Sequence, residues 1–225
     1  MKFFLLPFVI ATYLFGCTPA KIASISSSSR NVSAKSNSLV FENDTVKIDY
    51  DFWEERGAMN FKIYNKLDIP IYIDWKNSSF IAEDFTISYW QDETNTFSLS
   101  ANHAVWSKES GVSLRALSST SIKPERISSI PPHSSISKIS YKIIPQILAI
   151  PKSEVFAQEN SFYSFRNFLS LNTNESFTGN SCIIDNNFYI SRLFKINWSS
   201  INGYRTADAF YFKVNEPKKE EFLPQ

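Results

Sequence analysis

Apolar and polar residues alternate along most of this chain, most clearly over residues 61–81, FKIYNKLDIPIYIDWKNSSFI. Phe61 and Ile63 are interleaved with Lys62 and Tyr64; after the polar Asn65, Lys66 and Asp68, residues Ile69, Ile71, Ile73 and Trp75 are interleaved with Pro70, Tyr72 and Asp74. Successive side chains on a strand point to opposite faces, so a period of two predicts a strand, a tight reversal and a second strand. Pro70 has no backbone donor and suits an early or edge position, which puts the most regular pairing at residues 71–75. Trp75 falls on the apolar side. Its indole offers a large apolar surface to bury and an N–H that needs an acceptor, so it is expected to anchor the core with one polar contact.

The same period recurs. Val46, Ile48, Tyr50 and Phe52 oppose Lys47, Asp49 and Asp51, which predicts one buried and one wet face. Phe85, Ile87 and Tyr89 repeat it, as do Ile139, Tyr141 and Ile143 after the break at Pro131 and Pro132. Further on come Tyr163, Phe165, Leu169 and Leu171, then Phe188, Ile190, Phe194 and Ile196, then Phe210, Phe212 and Val214. After Cys17 no stretch of ten or more residues keeps apolar positions at i, i+3, i+4 and i+7, which argues against parallel βαβ folds. The pattern predicts an all-β fold, an antiparallel β sandwich over residues 39–215. Within it, residues 91–123 are polar, Ser-rich and aperiodic apart from Phe97, Val105 and Trp106, and read as a long excursion. Residues 216–225 read as a loose charged tail.

The N-terminus has a different character. Met1 and Lys2 precede a largely apolar run over residues 3–15, shorter than the ~20 helical residues a bilayer core requires, so it reads as a secretory signal. Its end, Leu14-Phe15-Gly16-Cys17, resembles the lipobox of bacterial lipoproteins, with Phe15 standing where a small or hydroxyl residue is usual. That resemblance implies removal of residues 1–16, a diacylglycerol on the Cys17 thiol and an acyl group on its new amine. Two or more chains are what make such an anchor durable. Residues 17–38 then read as the lipidated cysteine and a flexible Ser-rich tether, with a root-mean-square span of about 25 Å that lets the folded part stand clear of the headgroups. The tether's charges are Lys21, Arg30 and Lys35, and no acidic cluster follows Cys17, which favours an outer-membrane position facing the periplasm.

The segments NKLDIPIYIDWKNSSFI, IPPHSS and FRNFL together resemble the uncharacterised envelope lipoproteins common in Bacteroidetes-type bacteria. The resemblance spans most of the mature chain. It implies an immunoglobulin-like sandwich and a cell-envelope position, and it brings no activity with it.

Charge removes one class of function. In 225 residues, 23 Lys and Arg stand against 22 Asp and Glu, so the chain lacks the basic footprint of a nucleic-acid binder. The only histidines are His103 and His133, and no G-x-S-x-G elbow surrounds any serine. Cys182, flanked by Ile183 and Ile184, reads as an inert buried thiol; with Cys17 lipidated it has no disulfide partner. Asp49 and Asp51 share a strand face about 7 Å apart and are the candidate carboxylate pair for an envelope hydrolase, although Lys47 beside them favours an ordinary solvated face. Arg192 interrupts the apolar series 188–196 and must reach the sheet edge or pair with a carboxylate. No metal-ligand spacing or phosphate-cradling glycine loop is present, so neither a metal nor a cofactor is expected. Trp53 and Trp90 fall on the polar sides of their strands and form the candidate binding surface for an envelope protein or a glycan. The expected function is therefore a non-catalytic, membrane-anchored binding or structural module, with the hydrolase as the alternative.

Overall fold

Most of the period-two stretches form strands in a computed structural model that describes residues 19–82, 85–90, 95–100, 117–122, 125–138, 142–144, 154–179 and 181–213. Among these residues the strands are β1 (Pro19–Ser27), β2 (Val32–Lys35), β3 (Ser38–Glu42), β4 (Val46–Asp51), β5 (Asn60–Asn65), β6 (Ile71–Asp74), β7 (Ser79–Ala82) and β8 (Phe85–Ser88). There follow β9 (Asn95–Ser100), β10 (Leu117–Ile122), β11 (Ile127–Ile130), β12 (Ser135–Lys138), β13 (Glu154–Val155), β14 (Ser164–Asn172), β15 (Cys182–Asn197) and β16 (Ala209–Lys213). Short 3₁₀ segments cover Gln158–Asn160 and Trp198–Tyr204.

All pairings between these strands are antiparallel. A large sheet runs in the order β11-β6-β14-β15-β1-β16, with β7 and β8 continuing beside β14 and β13 beside β15. A smaller one runs β12-β5-β4-β3-β2, and β9 pairs with β10. The two sheets pack face to face as the expected all-β sandwich. Its core brings Ile48, Tyr50 and Phe52 from the small sheet against Phe165, Leu169, Ile184, Phe188 and Ile190 from the large one. Tyr50 and Phe188 meet edge to face with ring centroids 4.8 Å apart.

Residues 61–81 differ from expectation in one respect. β5 pairs with β4 and β12, whereas β6 pairs with β11 and β14, so the turn between β5 and β6 is an arch joining the two sheets and not a hairpin within one. Ile69, on this corner, is 50% exposed. A second arch links β11 of the large sheet to β12 of the small one through Pro131 and Pro132, which have no N–H to continue a ladder. Asn65 is fully buried at the two corners. Its Nδ2 donates toward the carbonyls of Ile69 (2.8 Å), Ile130 (3.0 Å) and Pro131 (3.2 Å), and its Oδ1 accepts the Leu67 N–H at 2.9 Å.

The flexible tether expected over residues 17–38 is corrected by β1, β2 and the start of β3. β1 lies between β15 and β16, in register from Pro19 opposite Asn197 to Ser27 opposite Phe188. Ala20, Ile22, Ala23 and Ile25 are each at most 3% exposed. A strand covered on both faces has no wet side and so no alternation, which is why its sequence carries no period of two. The β2–β3 connection is equally ordered: Ser36 and Asn37 both have positive φ, 48° and 63°, the pairing that matches the twist of a two-residue hairpin. The sandwich therefore begins by Pro19, not at residue 39. Cys17 lies outside the described residues, as does the tail 216–225. Of the excursion 91–123, the described segments are β9 and β10.

Candidate functional site

β15 is long enough to serve two environments, and one extra residue separates them. Ser24 is opposite Arg192 and Ile25 opposite Ile190, leaving Ser191 as a bulge. Before it, Ile184, Phe188 and Ile190 point into the sandwich; after it, Leu193 does so, while Phe194 and Ile196 point outward. The bulge also corrects the expectation for Arg192. That residue leaves the apolar series and lies exposed on the outer face, its guanidinium 5.3 Å from the centroid of the Phe194 ring.

On that outer face a second apolar cluster forms from Ala20 and Ile22 of β1, Ile196 of β15 and Ala209 of β16. Trp53, Phe194, Trp198, Ile201 and Tyr211 cover it. The rings touch in series: Trp53 and Tyr211 have centroids 5.2 Å apart, Tyr211 and Trp198 5.8 Å, and Phe194 and Tyr204 5.7 Å. Lys213 places its Nζ 4.5 Å from the Trp198 ring. Trp53, expected on a binding surface, is thus a half-buried member of this cluster. Trp90 packs half-buried against the main core instead, with the Lys76 ammonium 5.8 Å from its ring. The two tryptophans belong to different clusters and do not make one joint patch. Trp75 is 4% exposed and donates its indole N–H to Ser128 Oγ at 2.8 Å.

The carboxylate pair is divided between two local tasks. Asp49 forms an ion pair with Lys47 at 2.8 Å, and Asp51 accepts the Trp53 backbone N–H at 3.0 Å. His133 contacts Asp68 at 2.8 Å on the exposed corner of the second arch; His103 lies outside the described residues. Cys182 is free and half-buried, and burial pushes its thiol pKa up, away from the nucleophilic thiolate. No group of three His, Cys, Asp or Glu side chains among the described residues is placed to hold a metal ion.

Two charged pairs were not legible in the sequence. Arg166 of β14 bonds Asp185 of β15 through both carboxylate oxygens, Nε to Oδ1 at 3.0 Å, and these bonds push the guanidinium pKa up. Arg166 lines a cleft of about 240 Å³ with Ser28, Ile81, Gln158, Asn187 and Tyr189. Among the described residues lining it, Arg166 is the one charged group, and Asp185 already matches it. Asp74, at the end of β6, is the second. Burial raises its pKa, but hydrogen bonds from Arg126 and Asn77 outweigh that and hold the carboxyl below its ordinary range. Only the strand register brings either pair together, so no local motif announces them.

No protein-family model, curated protein or solved structure matches this chain. Among the described residues, no helix is long and apolar enough to cross a membrane.

Proposed function

We propose that the chain is a lipid-anchored protein of a bacterial cell envelope, a non-catalytic module that holds or recognises a neighbouring envelope protein or glycan. The observation that carries this reading is the order of parts: a positive start, an apolar run over residues 3–15, the sequence Leu14-Phe15-Gly16-Cys17, and then a sandwich strand from Pro19. A leader of that length delivers a chain across a membrane without spanning it, and the cysteine at its end supplies the thiol for acylation. The resemblance to envelope lipoproteins and the absence of an acidic cluster after Cys17 support an outer-membrane site facing the periplasm. Recognition by exposed loops and sheet faces needs no further chemistry. The hydrolase alternative draws little support from Asp49 and Asp51, since each already has a local partner.

Metabolic labelling with an alkyne-tagged palmitate tests the anchor. The wild-type protein is expected to take up label and sediment with membranes, and Cys17→Ser to give an unlabelled product that is soluble or retains its leader. Label on the Cys17→Ser protein, or none on the wild type, would overturn the reading.

A further inference from the structure

Resting on that anchor, we propose that the second apolar cluster, with Lys213 at its edge, is the face on which the sandwich sits against the phospholipid surface that holds Cys17. Covalent geometry forces the closeness. Cys17 and Pro19 are two residues apart, and a chain spans at most ~3.6 Å per residue, so their α carbons lie within about 7 Å. The acylated residue and the first rung of the large sheet must share one location.

The composition of that end suits the location. Its first four rungs are Pro19 with Asn197, Ala20 with Ile196 and Lys213, Lys21 with Lys195 and Phe212, and Ile22 with Phe194 and Tyr211. On the cluster's side of the sheet they carry Lys213, opposite Ala20, and no carboxylate; Lys21 and Lys195 share the rung of Phe212 and turn to the other side. The first acidic residues met along these strands come later, Glu154 beside Leu193 and Asp208 just before Ala209. Beyond β16, Glu55 bridges Tyr211, and Glu54 is ion-paired with Lys142. Trp198 directly follows Asn197, and its 3₁₀ segment packs against β1 and β15. Tyr204, in the same segment, is 43% exposed. Indole and phenol rings favour the headgroup level because they combine an apolar body with a polar edge. Lysine stems lie along apolar surface while their ammonium groups reach lipid phosphates.

The test uses the full-length acylated protein in vesicles of phosphatidylethanolamine and phosphatidylglycerol, with tryptophan emission quenched by lipids brominated near the headgroup end of the acyl chains. Part of the emission is expected to be quenched, with Trp198→Phe and Trp53→Phe each losing some of that quenched component and Trp75→Phe and Trp90→Phe retaining it. Quenching unchanged in both Trp198→Phe and Trp53→Phe, or lost in Trp90→Phe, would overturn the proposal. Should Trp198→Phe melt below the wild type, an environment-sensitive dye replaces it as the readout. In a Cys182→Ala background the dye is carried on exposed Ser199→Cys, beside the cluster, or on exposed Lys35→Cys near the β2–β3 turn, whose Asn37 bonds the chain level with Ile25, well along β1 from Pro19. A blue shift on vesicles at 199 and none at 35 supports the proposal; the reverse, or equal shifts, overturns it. Intact mass of the same sample separates the two levels. Acylated protein without the expected pattern sinks the orientation alone, whereas protein without acyl chains sinks the anchor and the orientation with it.

Discussion

Tyr50 is the side chain through which the two sheets share a polar contact at the centre of the core. Its hydroxyl accepts from Asn167 Nδ2 at 3.0 Å and from Asn186 Nδ2 at 2.7 Å, and the Tyr89 hydroxyl donates to Asn167 Oδ1 at 2.7 Å. Burial pushes the Tyr50 phenol up to about 12 from an ordinary 10.0, with the two asparagines opposing part of the rise. A group whose pKa is higher folded than unfolded contributes fully below its unfolded value and loses that contribution as the pH climbs through its folded one. Stability should therefore fall between pH 10 and about 12, by roughly 3 kcal/mol for two pKa units. Urea titrations across that range are expected to show the fall, and Tyr50→Phe to flatten it. At neutral pH the same substitution should cost about 1–3 kcal/mol, because two buried amide donors lose their acceptor. An unaltered alkaline slope in the variant would assign the fall to other groups. Alternation marks Trp75 and Tyr50 as core positions directly. Asn167 and Asn186 occupy core-facing positions of neighbouring strands too, but an asparagine at such a position announces a buried network only once the register joining β14 to β15 is known.

At the scale of elements, the arches matter more than any single strand. Asn65 is fully buried and ties both crossings together, so Asn65→Ala would leave the Leu67 N–H and the carbonyls it serves short of partners. Thermal or urea melts are expected to show a loss of at least about 1–3 kcal/mol, the cost of a buried polar group left unmet. Asn65→Asp should do no better, since it keeps the acceptor for Leu67 and turns a negative charge on the carbonyls of Ile130 and Pro131. A variant as stable as the wild type would show that the corners are held by other contacts. Why period two finds β5 and β6 yet misses their arrangement is physical. Alternation reports that a segment has two unlike faces, and Asn, Lys, Asp and Pro serve a hairpin and an inter-sheet corner equally well. β1 escaped for the opposite reason: with the main core on one side and Trp53, Trp198 and Tyr211 on the other, both faces are dry. Alanine and serine are small enough to fit between those layers, and the same residues dominate flexible linkers. The aromatic cluster is half legible, since alternation singles out Trp53 but places it on open surface. The missing part was the Ser191 bulge, which redirects Phe194 and Ile196 to meet it.

For the whole molecule, β1 is the hub of the large sheet, because among the described residues β16 joins that sheet only through it and β15 runs along its entire length. A chain lacking residues 19–27 is expected to lose its cooperative melting transition, as followed by circular dichroism. Retention of a wild-type transition would make β1 peripheral. The pairing also fixes an order in time. Ser27 Oγ donates to the Asn187 carbonyl, 160 residues further along, so this strand emerges early and finds its partners only when nearly the whole chain has arrived. Contacts so distant in sequence are slow to form, and a strand left waiting is exposed to pairing with the wrong neighbour. With three serines, two alanines and a lysine among nine residues, β1 has little of the sticky, uncharged apolar character that makes such a wait hazardous.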